Sequence, residues 1–203
     1  MKEYIAKKIA GSIGIEDARW EKVEHVKFEY TWDGFRPIPY ENTAAVVHSD
    51  EGITVLLSST EWPIRVTAME HQSRVCEDSC MEFFFTANTC ELKYINFELN
   101  PAGIMHAYVG EKRGERYPTE LDGVRVVTQI QPLEGWKALL FVPYSYIDRY
   151  FDKRESAFKA NFYKCGDSTV KKHYCTWNPV ETEKPDYHQP IYFGKITLSN
   201  EEI

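Results

Sequence analysis

The chain has 203 residues and a formal net charge of −7, with 43% apolar, 27% charged and 14% aromatic residues. That length suffices for one domain, residues 1–203, with a substantial core, and no composition shift, low-complexity run or repeat divides it. The acidic balance argues against nucleic-acid or anionic-membrane partners, because binding phosphates needs a basic footprint, and no apolar run approaches the ~20 residues of a membrane helix.

The first ten residues are charged and lack the apolar stretch of a secretion signal. The expected location is cytoplasmic as the chain stands, or extracellular if a leader has been removed. Residues 4–9 fit no single element, and 16–20 suit a short helical turn. Strand-like runs then follow at 23–30, 43–48, 53–58, 81–86, 94–99, 104–109, 124–130, 136–142, 158–164, 173–177 and 195–198. Turn chemistry separates many of them: Asp50-Glu51-Gly52, Pro101-Ala102-Gly103, Asp122-Gly123, Glu134-Gly135 and Gly166-Asp167-Ser168. One helix of about two turns is predicted over 144–151, after Pro143. About ten strands with so little helix predict an all-β fold, an antiparallel sandwich of jelly-roll type.

Two hairpins carry the chemistry. Side chains alternate between the faces of a strand. Over 81–86 this sets Glu82, Phe84 and Thr86 on one face and Met81, Phe83 and Phe85 on the other. Over 94–100, Tyr94, Asn96, Glu98 and Asn100 oppose Ile95, Phe97 and Leu99. A hairpin centred near Cys90 places Glu82 opposite Glu98 and Phe84 opposite Asn96. Two facing carboxylates repel, so a cation, a donor side chain, solvent or a sugar hydroxyl must offset them. In the second hairpin, Phe158, Ala160 and Phe162 face the core while Lys159, Asn161 and Tyr163 face out. A loop centred near Thr169 puts Asn161 opposite Trp177, so that an outward indole stands beside an amide. Such a pair suits a sugar: the ring stacks and the amide reads hydroxyls.

The five cysteines are odd in number and follow no zinc spacing, which predicts reduced thiols. The six histidines show no ligand spacing either. No Walker loop, dinucleotide fingerprint, nucleophile elbow or HExxH is present.

The segment from Cys76 to Phe85 resembles the core of carbohydrate-binding module family 9. Four further pieces match in order: Tyr94–Asn100, Asn161–Asp167, Tyr174–Val180 and His188–Gly194. Trp62-Pro63-Ile64-Arg65 matches upstream, so the likeness spans roughly residues 20–198. It implies a β-sandwich of the broader DOMON type and a mono- or oligosaccharide held between aromatic rings. Well-studied members also hold structural calcium. The resemblance implies ligand contacts from Glu82, Asn96, Glu98, Asn161, Trp177 and Arg65. It also implies a second tryptophan six residues before the strand glutamate. Cys76 stands there instead, with Trp62 or Tyr117 as candidate replacements. Non-catalytic sugar binding is therefore the expected function. The alternatives are a glycan hydrolase using Glu82 and Glu98, and an interaction domain whose sugar site has decayed to a shallow face.

Overall fold

The computed structural model describes residues 1–203. Its strands are β1 (Glu3–Lys8), β2 (Val26–Lys27), β3 (Asn42–His48), β4 (Gly52–Ser59), β5 (Cys80–Phe85), β6 (Tyr94–Leu99) and β7 (Met105–Gly110). They continue as β8 (Arg116–Pro118), β9 (Arg125–Gln131), β10 (Gly135–Pro143), β11 (Ala157–Cys165), β12 (Tyr174–Thr176) and β13 (Gly194–Glu202). A single α-helix, α1 (Tyr144–Tyr150), follows β10 where Pro143 announces it. No helix is long and apolar enough to cross a membrane.

The strands form one sheet in the order β8-β7-β6-β5-β11-β13-β1-β3-β4-β10-β9, with β12 also on β11 and β2 on β3. Phe83, Phe97 and Phe162 from one half share a core of 40 buried residues with Val46, Val55 and Leu140 from the other. The sheet must therefore fold over on itself, which makes it an all-β sandwich. Two details differ from the expectation. There are 13 strands rather than about ten, and the pairing is not wholly antiparallel. The N-terminal segment buries Tyr4 and Ala6 and exposes Glu3 and Ile5, so it reads as a strand, and it runs parallel to both β13 and β3. The expected strand over 23–30 shrinks to two residues because its chain changes partners. Val26 and Lys27 pair with β3, whereas Tyr30 bridges to Thr176.

The β5–β6 register is the expected one, with Glu82 opposite Glu98 and Phe84 opposite Asn96. The second hairpin differs by one residue. Tyr163 opposes Thr176, and the Trp177 amide donates to the Phe162 carbonyl at 3.0 Å. A slip of one turns every side chain of a strand to the other face. Cys175 and Trp177 consequently point into the core, and Tyr174 points outward.

The outer face of β5, β6 and β11 is not bare. Residues 185–193 fold across it, and Tyr187 and Phe193 pack there with Phe84, Tyr94 and Tyr163 in a second, smaller core. Tyr187 stacks on Tyr163 with centroids 4.1 Å apart and donates its hydroxyl to the Lys164 carbonyl at 2.9 Å. This cover buries most of the polar face and leaves one opening.

Candidate functional site

That opening is a cleft of about 410 Å³. Its floor comes from the strands: Glu82 on β5, Glu98 on β6, His106 on β7 and Cys165 on β11. Glu98 and His106 face each other across β6 and β7, so the period-two pattern that aligns Glu82 with Glu98 extends one strand further. Arg113 and Arg116 reach in from the β7–β8 hairpin. Tyr174 forms part of one wall, and Tyr187 and His188 come from the covering segment.

The carboxyl pair is nearly inaccessible, with Glu82 3% and Glu98 6% exposed. The Cys165 thiol donates to Glu82 Oε1 at 3.0 Å. Asn96 Nδ2 donates to Glu98 Oε1 at 3.1 Å, and Arg116 Nη1 donates to Asn96 Oδ1 at 2.6 Å. Asn96 thus couples the arginine to the carboxylate and holds both still. Burial drives Glu82 well above the usual carboxylate range, and the facing Glu98 drives it further. Burial also raises Glu98 to about 7, against the opposing pull of Arg116 and Arg113. Near neutral pH the pair therefore retains protons, and its oxygens can both donate and accept.

This has a consequence for stability. A carboxyl whose folded pKa is raised favours the folded state while protonated, and that contribution is lost as pH rises through the folded value. Stability is expected to fall by about 2–3 kcal/mol between pH 5 and pH 8 on account of Glu98, and further on account of Glu82. The Glu82→Gln/Glu98→Gln double variant should show a flatter profile in urea titrations at the two pH values. An unchanged slope would show that the pair is ionised in the fold.

His188 is held neutral, its pKa lowered to about 2 first by burial and then by Arg116 and Arg113. Its Nδ1 lies 2.9 Å from the Tyr94 hydroxyl. Accepting that proton leaves Nε2 as the ring donor. On β7 the His106 ring stacks on Tyr108 at 4.3 Å, and Arg116 lies over Tyr108 at 5.4 Å. The result is a preformed site with aromatic edges, two guanidinium groups and two partly protonated carboxyls.

Of the six residues expected to contact ligand, Glu82 and Glu98 line the cleft, and Asn96 stands behind them. The other three lie elsewhere. Trp177 is 1% exposed and packs on Phe162 in the main core, as the register slip dictates. Asn161 is fully buried, and its amide is spent on the backbone: Oδ1 accepts from Phe162 N and Asn178 N, and Nδ2 donates to Asn178 O. Arg65 donates Nε to the Glu77 carbonyl at 3.1 Å and lies 3.8 Å from Asp78 Oδ1, so it braces the turn that carries Cys76. Cys76 itself lines the cleft, at the place where the resemblance expects a ring. Neither Trp62 nor Tyr117 reaches that cleft. Sequence reasoning missed Arg113, Arg116, Tyr174 and His188; extending the Glu98 face by one strand would have found His106.

Calcium takes six to eight oxygen ligands. The one group of three convergent metal-ligating side chains consists of Cys80, Glu82 and Cys165, and its two thiols do not suit that ion. Asp78, the most deeply buried acid near the cleft, already accepts from Thr67 N, Thr67 Oγ1, Ala68 N and Asn100 Nδ2. It ties the loop before β5 to the end of β6 and offers no oxygen cage.

A β-sandwich with a rigid, polar, aromatic-edged cleft on one sheet has the architecture of a carbohydrate-binding module. The chain belongs to carbohydrate-binding family 9, whose model matches residues 12–198. Among solved structures it is similar to a proposed carbohydrate-binding protein from Bacteroides uniformis, with 25% identity and a TM-score of 0.85 over 98% of this chain and 99% of that one. It also shares its fold with a family 9 module from Caldicellulosiruptor kristjanssonii, solved with cellotriose and with glucose. Identity there is 13%, with TM-scores of 0.69 and 0.70, over 98% of this chain and 95% and 97% of those chains. No curated protein sequence is similar enough to count as a relative.

Proposed function

We propose that the cleft binds a mono- or oligosaccharide and releases it unchanged. The observation that carries this reading is the facing Glu82 and Glu98 pair, set beneath Arg113 and Arg116 in an aromatic-edged cleft. Sugars present neighbouring hydroxyls that donate and accept together. Partly protonated carboxyls answer both needs, and a guanidinium fork supplies parallel donors. The Tyr174 ring, and His106 on the side away from Tyr108, line the cleft and offer apolar contact for the C–H side of a sugar ring. Because Asn96 pins Glu98 and Arg116, little freedom is lost on binding. Affinity in the micromolar-to-millimolar range corresponds to about −8 to −4 kcal/mol.

Glucose and cellotriose are the first probes, followed by a panel of soluble oligosaccharides, titrated by calorimetry. Arg116→Ala is expected to weaken binding by about 10- to 100-fold, since it removes a charge-assisted donor and frees Asn96. An unchanged Kd in that variant, or no heat with any sugar of the panel, would sink the proposal.

The hydrolase reading fits less well. Cross-strand neighbours do reach the ~5–5.5 Å carboxyl spacing of retaining glycosidases. Such enzymes, however, place their two carboxyls on either side of the scissile bond, whereas Glu82 and Glu98 rise side by side from one floor. A decayed site would present a face with no pocket, whereas a cleft of about 410 Å³ lies over Glu82.

A further inference from the structure

Cys80 and Cys165 sit directly opposite one another on β5 and β11. Their thiols and the Glu82 carboxylate all lie within 4.8 Å of one another. Cys165 Sγ is 3.0 Å from Glu82 Oε1, and Cys80 Sγ is 3.9 Å from the same oxygen. We propose that these three side chains form a binding site for a thiophilic divalent cation of the zinc class, at the floor of the cleft.

Geometry comes first. Zinc bonds of about 2.3 Å to sulfur and about 2.0 Å to oxygen, arranged tetrahedrally, separate neighbouring ligand atoms by about 3.5–3.8 Å. The two sulfur–oxygen distances, 3.0 and 3.9 Å, bracket that edge, and the two sulfurs lie within 4.8 Å of one another, so modest side-chain rotations complete the set. The ligands stand on paired strands rather than on a loop, which holds them in place. All three are buried, with Cys80 0% and Cys165 2% exposed. Glu82 and Cys165 nevertheless line the cleft, so an ion can reach them.

Charge supplies a separate argument. Glu82 is buried opposite a second buried carboxyl, and neither is among the chain's ion pairs. A buried carboxylate is costly unless it is paired or bound to a metal. A divalent cation where the two thiols converge lets Glu82 bind as the carboxylate without leaving a lone buried charge. Soft sulfur donors with one carboxylate select zinc-like ions over calcium or magnesium.

The site does not depend on the sugar reading, because the metal is tested alone. Reduced, metal-free protein is titrated with cobalt(II) under argon. One equivalent should produce a thiolate-to-cobalt charge-transfer band with tetrahedral ligand-field absorption, and zinc should displace it. Cys80→Ser and Cys165→Ser should each lose affinity by more than the roughly 10- to 100-fold that loss of a merely supporting group costs. Cys90→Ser, at an exposed thiol, should bind as wild type does. If a serine variant does not fold, Glu82→Gln keeps the shape and should weaken binding while leaving the charge-transfer band. Absence of the band, or equal affinity in all the variants, overturns the site. So does a count of three free thiols instead of five in the denatured, untreated protein, since the pair would then be a disulfide. Sugar titration of the metal-free protein reports on the cleft's other proposed role separately.

Discussion

Replacing Trp177 with alanine is expected to lower the stability of this protein by about 3–5 kcal/mol. The affinity of the remaining folded molecules for sugar should stay as it was. The indole is 1% exposed and lies against Phe162 with centroids 5.5 Å apart. Gly194 at the start of β13 is shaped to it: a Cβ there would sit 2.6 Å from Trp177 Cζ3. Removing the ring opens a cavity between β11, β12 and β13 that rigid strands cannot close, so lost transfer energy and lost contacts add. Domains of this kind are stable by only about 5–15 kcal/mol, and a shift of that size is read easily in a urea titration. A stacking platform would behave in the opposite way. Its loss would leave the urea midpoint near wild type and cost binding. Trp177→Phe, which keeps most of the volume, should recover much of the stability and is the variant to use if the alanine form does not fold. Weaker sugar binding by the folded phenylalanine variant would count against the core assignment.

The same residue shows where sequence reading held and where it gave way. Strict alternation over 81–86 and 94–100 made both the faces and the register of β5 and β6 readable, and Glu82 meets Glu98 as that pattern requires. The β11–β12 hairpin carried equally good alternation, and its inward set on β11 is as expected. What failed was the count across its turn, by one residue. Alternation fixes which residues share a face. It does not fix which face a second strand presents, because that depends on how many residues the turn consumes. One residue of slip exchanged Trp177 for Tyr174 at the cleft. Other parts of the site had no periodic signal at all. Arg113 comes from the turn after β7 and Arg116 from the start of the three-residue edge strand that follows, and the negative net charge conceals them. The cover over 185–193 is mostly irregular chain, held by Tyr187 and Phe193 rather than by a ladder. Its effect was to turn an expected open polar face into a buried one, so that Asn96 and Asn161 serve protein partners. Cysteine spacing is silent on the β5–β11 thiol pair for a related reason. Ligand motifs read along the chain find neighbours in sequence, whereas Cys80 and Cys165 are neighbours only through strand pairing.

The second large effect is expected directly behind the cleft. Alternation along β11 turns Lys164 inward beside Phe162, into the space between the two layers, where it is 0% exposed. Its ammonium lies 2.7 Å from Glu61 Oε2, 2.9 Å from His173 Nε2 and 2.9 Å from the Cys165 carbonyl. The imidazole nitrogen and the carbonyl each accept one of its protons, and Glu61 supplies the opposite charge. His173 can accept because burial, and then Lys164 itself, push its pKa down to about 3, so the ring is neutral and its Nδ1 proton goes to the Lys171 carbonyl at 2.6 Å. Glu61 is equally buried, and neither of its carboxylate oxygens has a hydrogen-bond partner, so the pair rests on charge alone. A buried ion pair of this kind contributes little over a well-packed apolar substitute, but breaking one half strands the other charge. Lys164→Met should therefore cost about 3–5 kcal/mol, and Glu61→Leu a similar amount. The Lys164→Met/Glu61→Leu double variant should be much closer to wild type than the sum of the singles. A double-mutant cycle by urea denaturation measures that coupling. Additive losses would show that the two groups do not interact, and the inward turn of Lys164 would then have to be explained by His173 alone.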